Sequence, residues 1–574
     1  MTLKVARTVV AIGASVLLAS CGGGGGSSSP DPSLQVAGTA AIGTALASAS
    51  VEVKCATGSG TATTSGTGAY TVNIAHGSLP CVVQVTGSGD TASIVLHSAV
   101  QAGSTDSATA VTTAKANVTP LTELVIAQFA ATLPANYFAN FSGSSAGTLT
   151  QDKLSAAATA IVAALKSAGV DLGAIDPLRG DLVAASGGTA GNAYDKALDA
   201  LAQKVTVDAL PLLVTQVASA AASNSSTGLS DAMAAVDGGG LPGCPYVLSG
   251  NYRAIDYHGR MTLRPINFAA KTFGAGDGVN QMALVQDGTN PCAFTATLAL
   301  NGQTGEWVVA FGPGGVGIYR SRYVAPTVTP GATGIIFPVQ AHSYSEVAGT
   351  WDSLQSGYYP GDGVQTYRGQ LTFASDRTAS SCDYDPAAGW ACKPESSGMT
   401  VAERTDGGFD VLSGNGPAPV ANVYAYQAPT GALAMFGTTN SSGSTDATVE
   451  QSSFVLTKLK PWTLPQVGSA SKYSETLIMY TSPTGTRSTD PVTSNEITNI
   501  AVDATANTVQ RQRQSDGRID TQDLNKPIPG LRTREPGTNF SAAYQMNVTG
   551  TGLTLTTNVE TSVGRWLAYS VGRP

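Results

Sequence analysis

Charged side chains are scarce in this chain. Asp, Glu, Lys and Arg make up 12% of its 574 residues, only four histidines are present, and the formal net charge is −8. Binding of nucleic acid depends on clustered positive charge, so this composition excludes nucleic acid as a partner. The histidines are scattered and show no metal-ligand spacing. The sequence therefore indicates no metal, no cofactor and no set of catalytic residues.

No apolar run at the N-terminus is long enough to cross a bilayer. The run from Val9 to Leu18 has about ten residues, half of the roughly 20 that a membrane-spanning helix needs. It follows Lys4 and Arg7, an order of charge and apolar residues that is typical of an export signal. We therefore predict a signal peptide over residues 1–20.

The tetrapeptide Leu18-Ala19-Ser20-Cys21 resembles the lipobox of bacterial lipoproteins. The resemblance implies that signal peptidase II removes residues 1–20 and that Cys21 carries a lipid with acyl chains such as palmitate. Because Gly22 rather than Asp follows the cysteine, it also implies sorting to the outer membrane, on its periplasmic or its extracellular face. Residues 21–33 are rich in Gly and Ser and are predicted to be a flexible tether.

The chain has seven cysteines, and six remain when Cys21 is assigned to lipid. None of the six has zinc or redox spacing, and an exported compartment permits disulfides. The simplest of the fifteen possible connectivities is sequential, with reduced core thiols as the alternative. It predicts the bridges Cys55 to Cys81, Cys244 to Cys292 and Cys382 to Cys392.

Glycine and tyrosine are abundant, with 66 and 19 residues, which is typical of β-rich exported modules. We predict a multi-domain, mainly β protein with a small β-sandwich, an α-helical bundle region and tandem antiparallel β modules that are barrel-like or sandwich-like. The predicted units are a sandwich over 34–115, helices over 116–238, and β modules over 240–345, 346–462 and 465–574.

Three patterns support these units. Val36-x-Gly38, Ala49-x-Val51-x-Val53 and the turn from Thr64 to Tyr70 resemble a carboxypeptidase regulatory-like, or transthyretin-like, β-sandwich, which implies a spacer or binding module without an active site. Thr119-Pro120 is a helix start signal, and apolar stripes predict helices over 120–133, 150–168 and 192–222.

An internal repeat lies in the C-terminal half. Leu248-Ser249-Gly250-Asn251-Tyr252 recurs as Val347-Ala348-Gly349-Thr350-Trp351. The Gly-x-Trp of the second copy resembles the opening of calycin-type barrels, which implies that the ring closes one barrel end.

Two groups of residues are candidates for ligand contact. Tyr358 and Tyr359 lie on a predicted turn near Trp351 and Tyr367, and such rings either stack on sugars or pack at a barrel mouth. A second group is basic. Arg511 and Arg513 share one side of a strand, and the arginines that follow them extend the group, which is either an anionic glycan or carboxylate site or a solvated basic face. These arginines are Arg518, Arg532 and Arg534.

These features favour a lipid-anchored, surface-exposed, non-catalytic lipoprotein that binds a glycan, a polymer or an envelope protein. Two alternatives remain open. One is a periplasm-facing accessory of envelope assembly or transport, and the other is a hydrolase of an extracellular polymer.

Overall fold

A computed structural model describes residues 33–574 except 208, 223–228, 230–231, 234–243, 245–246, 269, 275–279, 301, 326–328, 341, 360–362, 386, 388, 395–397, 414–418, 440–451, 481–486, 490, 539, 559–564 and 574. The signal peptide, the lipobox with Cys21 and residues 21–32 of the tether lie outside the described residues. The fold is mainly β and multi-domain, as predicted.

Two four-stranded sheets form the N-terminal unit, in the orders β4-β1-β8-β7 and β3-β2-β5-β6. Alternate side chains of β4 are buried, which places Tyr70, Val72 and Ile74 in the core between the sheets. Cys55 and Cys81 are opposite each other on β2 and β5 and form the predicted disulfide. The strands are β1 Ser33–Thr39, β2 Ser50–Thr57, β3 Ser59–Thr63, β4 Ala69–Ala75, β5 Ser78–Thr86, β6 Val95–Val100, β7 Ser104–Asp106 and β8 Val111–Lys115.

Helices follow and share the hydrophobic core of these sheets. Thr119 caps α1 by accepting a hydrogen bond from the backbone N–H of Thr122, and Pro120 occupies the first turn. Glu123 of α1 forms a buried pair with His97 of β6, 3.0 Å apart, which ties the helices to the sandwich. The helices are α1 Pro120–Ala130, α2 Pro134–Asn140, α3 Gly143–Ala146, α4 Gln151–Ser167, α5 Ala193–Lys204 and α6 Leu210–Ala222.

The helix predicted over 192–222 is wrong as a single element, because it is divided into α5 and α6. Val205 leaves the helical conformation, and the Thr206 hydroxyl accepts a hydrogen bond from the Ala209 N–H at the start of the second helix. Pro211 has no N–H to donate and fits only a first turn. None of the helices that the structure describes is long and apolar enough to span a membrane.

Three eight-stranded barrels make up the rest of the chain. The first barrel is closed by pairing of β9 with β10 and β16, and the disulfide Cys244 to Cys292 lies in its apolar core. Its strands are β9 Gly250–Asp256, β10 Met261–Asn267, β11 Thr272–Gly274, β12 Gln281–Gln286, β13 Ala293–Leu300, β14 Gln303–Phe311, β15 Gly317–Ala325 and β16 Thr329–Pro338.

The second barrel follows a one-turn helix, α7 Tyr344–Val347, and closes through β18 and β19. Its ninth strand, β20, pairs with β19 and is joined to it by the disulfide Cys382 to Cys392. The strands are β17 Gly349–Tyr359, β18 Gly363–Phe373, β19 Thr378–Asp385, β20 Ala391–Pro394, β21 Met399–Glu403, β22 Phe409–Leu412, β23 Pro419–Gln427, β24 Leu433–Thr438 and β25 Ser453–Thr457.

The third barrel closes through β26 and β34, with β27 as an extra strand on β26. Its strands are β26 Ala470–Tyr480, β27 Arg487–Thr489, β28 Thr493–Asp503, β29 Thr508–Arg513, β30 Ile519–Leu524, β31 Leu531–Arg534, β32 Ala543–Val548, β33 Leu553–Asn558 and β34 Trp566–Gly572.

The sequence repeat marks equivalent positions in the first two barrels. Tyr252 of β9 donates its hydroxyl hydrogen to the Leu248 carbonyl at 2.7 Å, and Trp351 of β17 donates its ring N–H to the Val347 carbonyl at 2.8 Å. In both barrels an aromatic side chain on the first strand therefore turns inward and bonds to the carbonyl four residues earlier.

The barrels pack on one another through a shared apolar cluster formed by their outer faces. Ile255 of the first barrel, Leu354 of the second and Ile478 of the third belong to it. Hydrogen bonds cross between barrels as well, for example from the Asn290 amide to the Ser474 hydroxyl at 3.3 Å. The three barrels therefore have a common core outside their lumens.

Candidate binding site in the lumen of the third barrel

The third barrel has a polar interior, unlike the other two. The first two barrels are filled by apolar cores, whereas a cavity of about 1170 Å³ occupies the third. Strand alternation explains this, because Arg532 and Arg534 of β31 face the cavity while Leu531 packs in the cluster between barrels. We call this cavity the lumen site. Its cationic lining is Lys472, Arg511, Arg513, Arg518, Arg532 and Arg534.

Three of these arginines are paired with carboxylates. Asp520 accepts hydrogen bonds from Arg511 at 3.1 and 3.2 Å through one oxygen and from Arg518 at 3.1 Å through the other. Arg513 pairs with Asp516 at the exposed turn between β29 and β30. The charge of this part of the lumen is therefore largely balanced.

Arg532 and Arg534 are held in a different way. The Arg532 guanidinium lies 4.1 Å from the centre of the Trp462 ring, and Arg534 lies 5.1 Å from Phe540 and 5.5 Å from Trp566. In the part of the chain that the structure describes, neither arginine forms an ion pair with a carboxylate. Aromatic faces orient these cations without neutralising them.

The rings are themselves fixed. The Trp462 ring N–H donates to the Gly530 carbonyl at 2.9 Å, and its backbone N–H donates to the Asn525 side chain at 2.7 Å. Arg534 also donates to the Ser541 carbonyl at 2.8 Å. The two arginines are thus held in place before any ligand arrives, which lowers the entropic cost of binding.

Burial shifts the pKa values of Arg532, Arg534 and Glu475. It lowers the pKa of Arg534 to about 10, with a further contribution from Arg518, and it lowers the pKa of Arg532 well below the usual range together with Arg511. Burial also raises the pKa of Glu475, against the effect of the nearby arginines. Arg534 still carries its charge at neutral pH, so the lumen site holds positive charge that an anion would stabilise.

Several buried polar atoms of the lumen have no hydrogen-bond partner among the described residues. They include the Nε atoms of Arg518, Arg532 and Arg534 and the side-chain oxygens of Gln522 and Gln545. Arg534, Gln522 and Gln545 are 6%, 0% and 8% exposed. A buried donor or acceptor without a partner costs about 1–3 kcal/mol, so water or a ligand that supplied polar groups here would stabilise the lumen site.

The structure places the predicted basic residues in one site but changes their roles. Arg511 and Arg513 do face the same side of β29, and Arg518, Arg532 and Arg534 line the same lumen. The first two are paired with carboxylates, however, so among the described lumen arginines the ones without a carboxylate partner are Arg532 and Arg534.

Other lumen residues were not singled out from the sequence. They are Trp462, Glu475 and Gln545, together with Gln522, which lies opposite Arg534 on the neighbouring strand. For Glu475, Gln522 and Gln545, period-two placement on strands was the available signal, but it does not say which face of a strand points inward. Trp462 lies between strands and gave no such signal.

Of the aromatic residues that were predicted to contact a ligand, the two whose side chains the structure describes, Trp351 and Tyr367, are not part of the lumen site. Trp351 is 0% exposed and packs in the apolar core of the second barrel, so its prediction as a ligand contact is wrong. Tyr367 is half-buried, with its hydroxyl 3.1 Å from the Cys382 carbonyl oxygen. The side chains of Tyr358 and Tyr359 lie outside the described residues.

Two carboxyl groups, Glu475 and Asp520, raise the question of hydrolysis. Glu475 has a raised pKa, whereas Asp520 has a lowered pKa, because Arg511, Gln522 and Arg518 outweigh the effect of its burial. Such divergence is typical of an acid and base pair. Both oxygens of Asp520 already accept hydrogen bonds from Arg511, Arg518 and Gln522, however. Asp520 therefore serves as a counter-ion rather than as a base.

Comparison with known proteins gives little guidance. No protein-family model matches the sequence, and no curated protein matches it. Among solved structures, a protein of unknown function from the DUF3598 family of Nostoc punctiforme is 10% identical, with 40% of this chain and 97% of that chain covered and a TM-score of 0.15. Transferrin binding protein B of Neisseria meningitidis is 7% identical, with 57% and 74% covered and a TM-score of 0.17. Likenesses at these TM-scores carry no argument about this chain.

Proposed function

We propose that this chain is a lipid-anchored, surface-exposed, non-catalytic binding protein of the outer membrane, and that its third barrel binds an anionic ligand in the lumen. One observation carries the binding part, which is the pair of arginines that aromatic rings hold instead of carboxylates, Arg532, which is half-buried, and Arg534, which is buried. The apolar first and second barrels then act as the support on which the third barrel is built.

The binding proposal is tested by calorimetric titration of the full chain with sulfate and with D-glucuronate. Loss of a hydrogen bond to a charged group costs about 1.5–3 kcal/mol. We therefore expect Arg532→Met and Arg534→Met each to weaken binding of the anion by about tenfold or more. Arg322→Met is the matched control, because Arg322 pairs with Glu306 on the first barrel, away from the lumen. Absence of anion binding by the unchanged protein, or equal binding by the lumen variants and the control, would contradict the proposal.

The anchoring part rests on the lipobox and is tested at Cys21. We expect Cys21→Ser to move the protein from the detergent phase to the aqueous phase in phase partitioning and to abolish incorporation of labelled palmitate. A Cys21→Ser protein that stays in the detergent phase would show that another segment anchors it.

Location is tested by protease treatment of intact cells, followed by mass spectrometry of the released peptides. Release of peptides from residues 240–574 supports an outward-facing protein. Protection until the outer membrane is ruptured would replace this proposal with the periplasmic accessory.

A further inference from the structure

We propose that the ligand of the lumen site is an acidic carbohydrate, a molecule that presents a carboxylate beside ring hydroxyls. The inference rests on the proposed anion-binding function and specifies its ligand class. It is carried by two matched pairs of side chains on neighbouring strands, Arg532 with Gln545 and Arg534 with Gln522.

Strand register brings each cation next to an amide. Arg532 is directly opposite Gln545 on β32, and Arg534 is directly opposite Gln522 on β30. Opposite residues of antiparallel strands have Cβ atoms about 4.5–5.5 Å apart. The strand register therefore places a cation beside a carboxamide twice. Arg532, Arg534 and Gln545 line the lumen, and Gln522 is fully buried next to Arg534.

The unpartnered atoms of these pairs are complementary. Each arginine has an Nε–H without an acceptor, and each glutamine has a side-chain oxygen without a donor, among the described residues. The amide nitrogens are already used, since Gln545 donates to Thr556 at 3.0 Å and Gln522 donates to Asp520 at 2.9 Å. Orientation by these bonds leaves the oxygens as acceptors, which a donor such as a ligand hydroxyl or a water molecule would satisfy.

A simple anion does not meet both demands. Sulfate and an aliphatic carboxylate accept hydrogen bonds at neutral pH but donate none. An acidic sugar supplies a carboxylate for the arginine and an adjacent hydroxyl for the glutamine oxygen. The duplicated pair fits a ligand in which this combination is repeated, as in two linked uronic acid residues.

The volume of the lumen and its apolar lining residues agree with an acidic carbohydrate as the ligand. Small-molecule sites are roughly 300–1,000 Å³, and the lumen, at about 1170 Å³, exceeds what an inorganic ion would fill. Leu477, Val509 and Leu524 also face the cavity and provide apolar contact for the C–H faces of sugar rings.

The test is a calorimetric comparison of four probes on the full chain. They are methyl glucuronide, with acid and hydroxyls; methyl glucoside, with hydroxyls alone; hexanoate, with acid alone; and sulfate. We expect the glucuronide to bind at least tenfold more tightly than hexanoate and sulfate, and the glucoside to bind more weakly than either. A glucuronate dimer and a purified acidic core oligosaccharide of lipopolysaccharide then distinguish a free polyuronate from an envelope sugar as the source.

Variants of the two glutamines test the carbohydrate inference separately from anion binding. We expect Gln545→Met and Gln522→Met each to weaken glucuronide binding about fivefold, because the acceptor for the hydroxyl is lost. Each variant also loses the amide N–H bond to Thr556 or to Asp520, but both arginines remain, so hexanoate binding should stay unchanged. Gln510→Met is the matched control, since Gln510 lies beside Arg511 on β29 but is exposed. Retained hexanoate binding reports a folded lumen in each variant.

The outcomes have separate meanings. If hexanoate binds as tightly as the glucuronide, or if both glutamine variants affect the two acids equally, the carbohydrate inference is overturned while anion binding stands. If none of the acids or sulfate binds, both proposals fail.

Discussion

Asp520 is 4% exposed and pairs with both Arg511 and Arg518. Removing its negative charge tests whether this ion-pair network stabilises the third barrel, separately from any binding of a ligand. Asp520→Asn keeps the size of the side chain but removes the negative charge. Arg511, which is 7% exposed, then keeps a buried charge without a counter-ion. Asp516→Asn is the matched control on the same hairpin, because Asp516 pairs with Arg513 and its side chain is 46% exposed.

The expected magnitudes differ widely. Removing one partner of a buried ion pair costs about 3–5 kcal/mol, and because asparagine can still accept one hydrogen bond we expect the lower end, about 3 kcal/mol. An exposed pair contributes about 0.2–1 kcal/mol. Protection of the β29–β31 amides from hydrogen exchange should thus fall on the order of 100-fold in Asp520→Asn and less than about fivefold in Asp516→Asn.

The assay is hydrogen exchange with mass spectrometry on peptides that cover residues 508–534. Exchange is preferred to a global melting curve because multi-domain proteins do not follow two-state unfolding, so a single free energy of unfolding is not defined for this chain. Adding sulfate at about 100 times its dissociation constant should add about 2.7 kcal/mol of protection to the variant, as to the unchanged protein, because sulfate binds the folded lumen and not the opened one. Equal effects of the two variants, or no added protection by a bound anion, would refute this account of the lumen.

Two further predictions concern pH and packing. Burial raises the pKa of Glu475, so the stability that it contributes in its protonated form is complete below its unfolded pKa of about 4.3 and is lost as pH rises through the folded pKa. Glu475→Gln should therefore match the unchanged protein near pH 4 and become the more stable of the two, in amide protection, toward pH 8; a constant difference would be contrary evidence. Gly314 of the first barrel meets the Thr551 backbone of the third, where an added Cβ would overlap, whereas Gly288 has open space. Gly314→Ala should cost about 1–3 kcal/mol of amide protection at the contact and Gly288→Ala should have little effect, and equal effects would show that the barrels are not closely docked there.

Part of the fold could be predicted because the signals were local. Cysteine spacing predicted the three disulfides, Thr119-Pro120 predicted the start of α1, and the Tyr252 and Trp351 repeat marked equivalent strands. The helix start and the repeat depend on a few neighbouring residues, and each disulfide joins cysteines that are consecutive in the sequence, at most 48 positions apart. Closure of the strands into barrels depends on pairing between distant segments, such as β26 with β34, and no short pattern encodes it.

The candidate site was predicted only in part for a related reason. A strand with alternating polar and apolar residues is usually assumed to turn its apolar side inward, which would place Arg532 and Arg534 on a solvated face. Nothing within β31 reveals that Leu531 is covered instead by neighbouring barrels. Trp351 shows the opposite error, since an aromatic residue near a predicted turn proved to occupy an inward position of its strand.

The polar lumen and the packing of the three barrels depend on each other. A barrel with charged residues inside has to turn its apolar residues outward, and large exposed apolar patches are rare on soluble proteins. Here the outward residues Met546, Leu555 and Tyr569 pack in the cluster shared with the first two barrels. Burial of that outer face supplies hydrophobic stabilisation that the third barrel does not obtain from its lumen. The apolar barrels thereby allow the third barrel to keep a charged cavity.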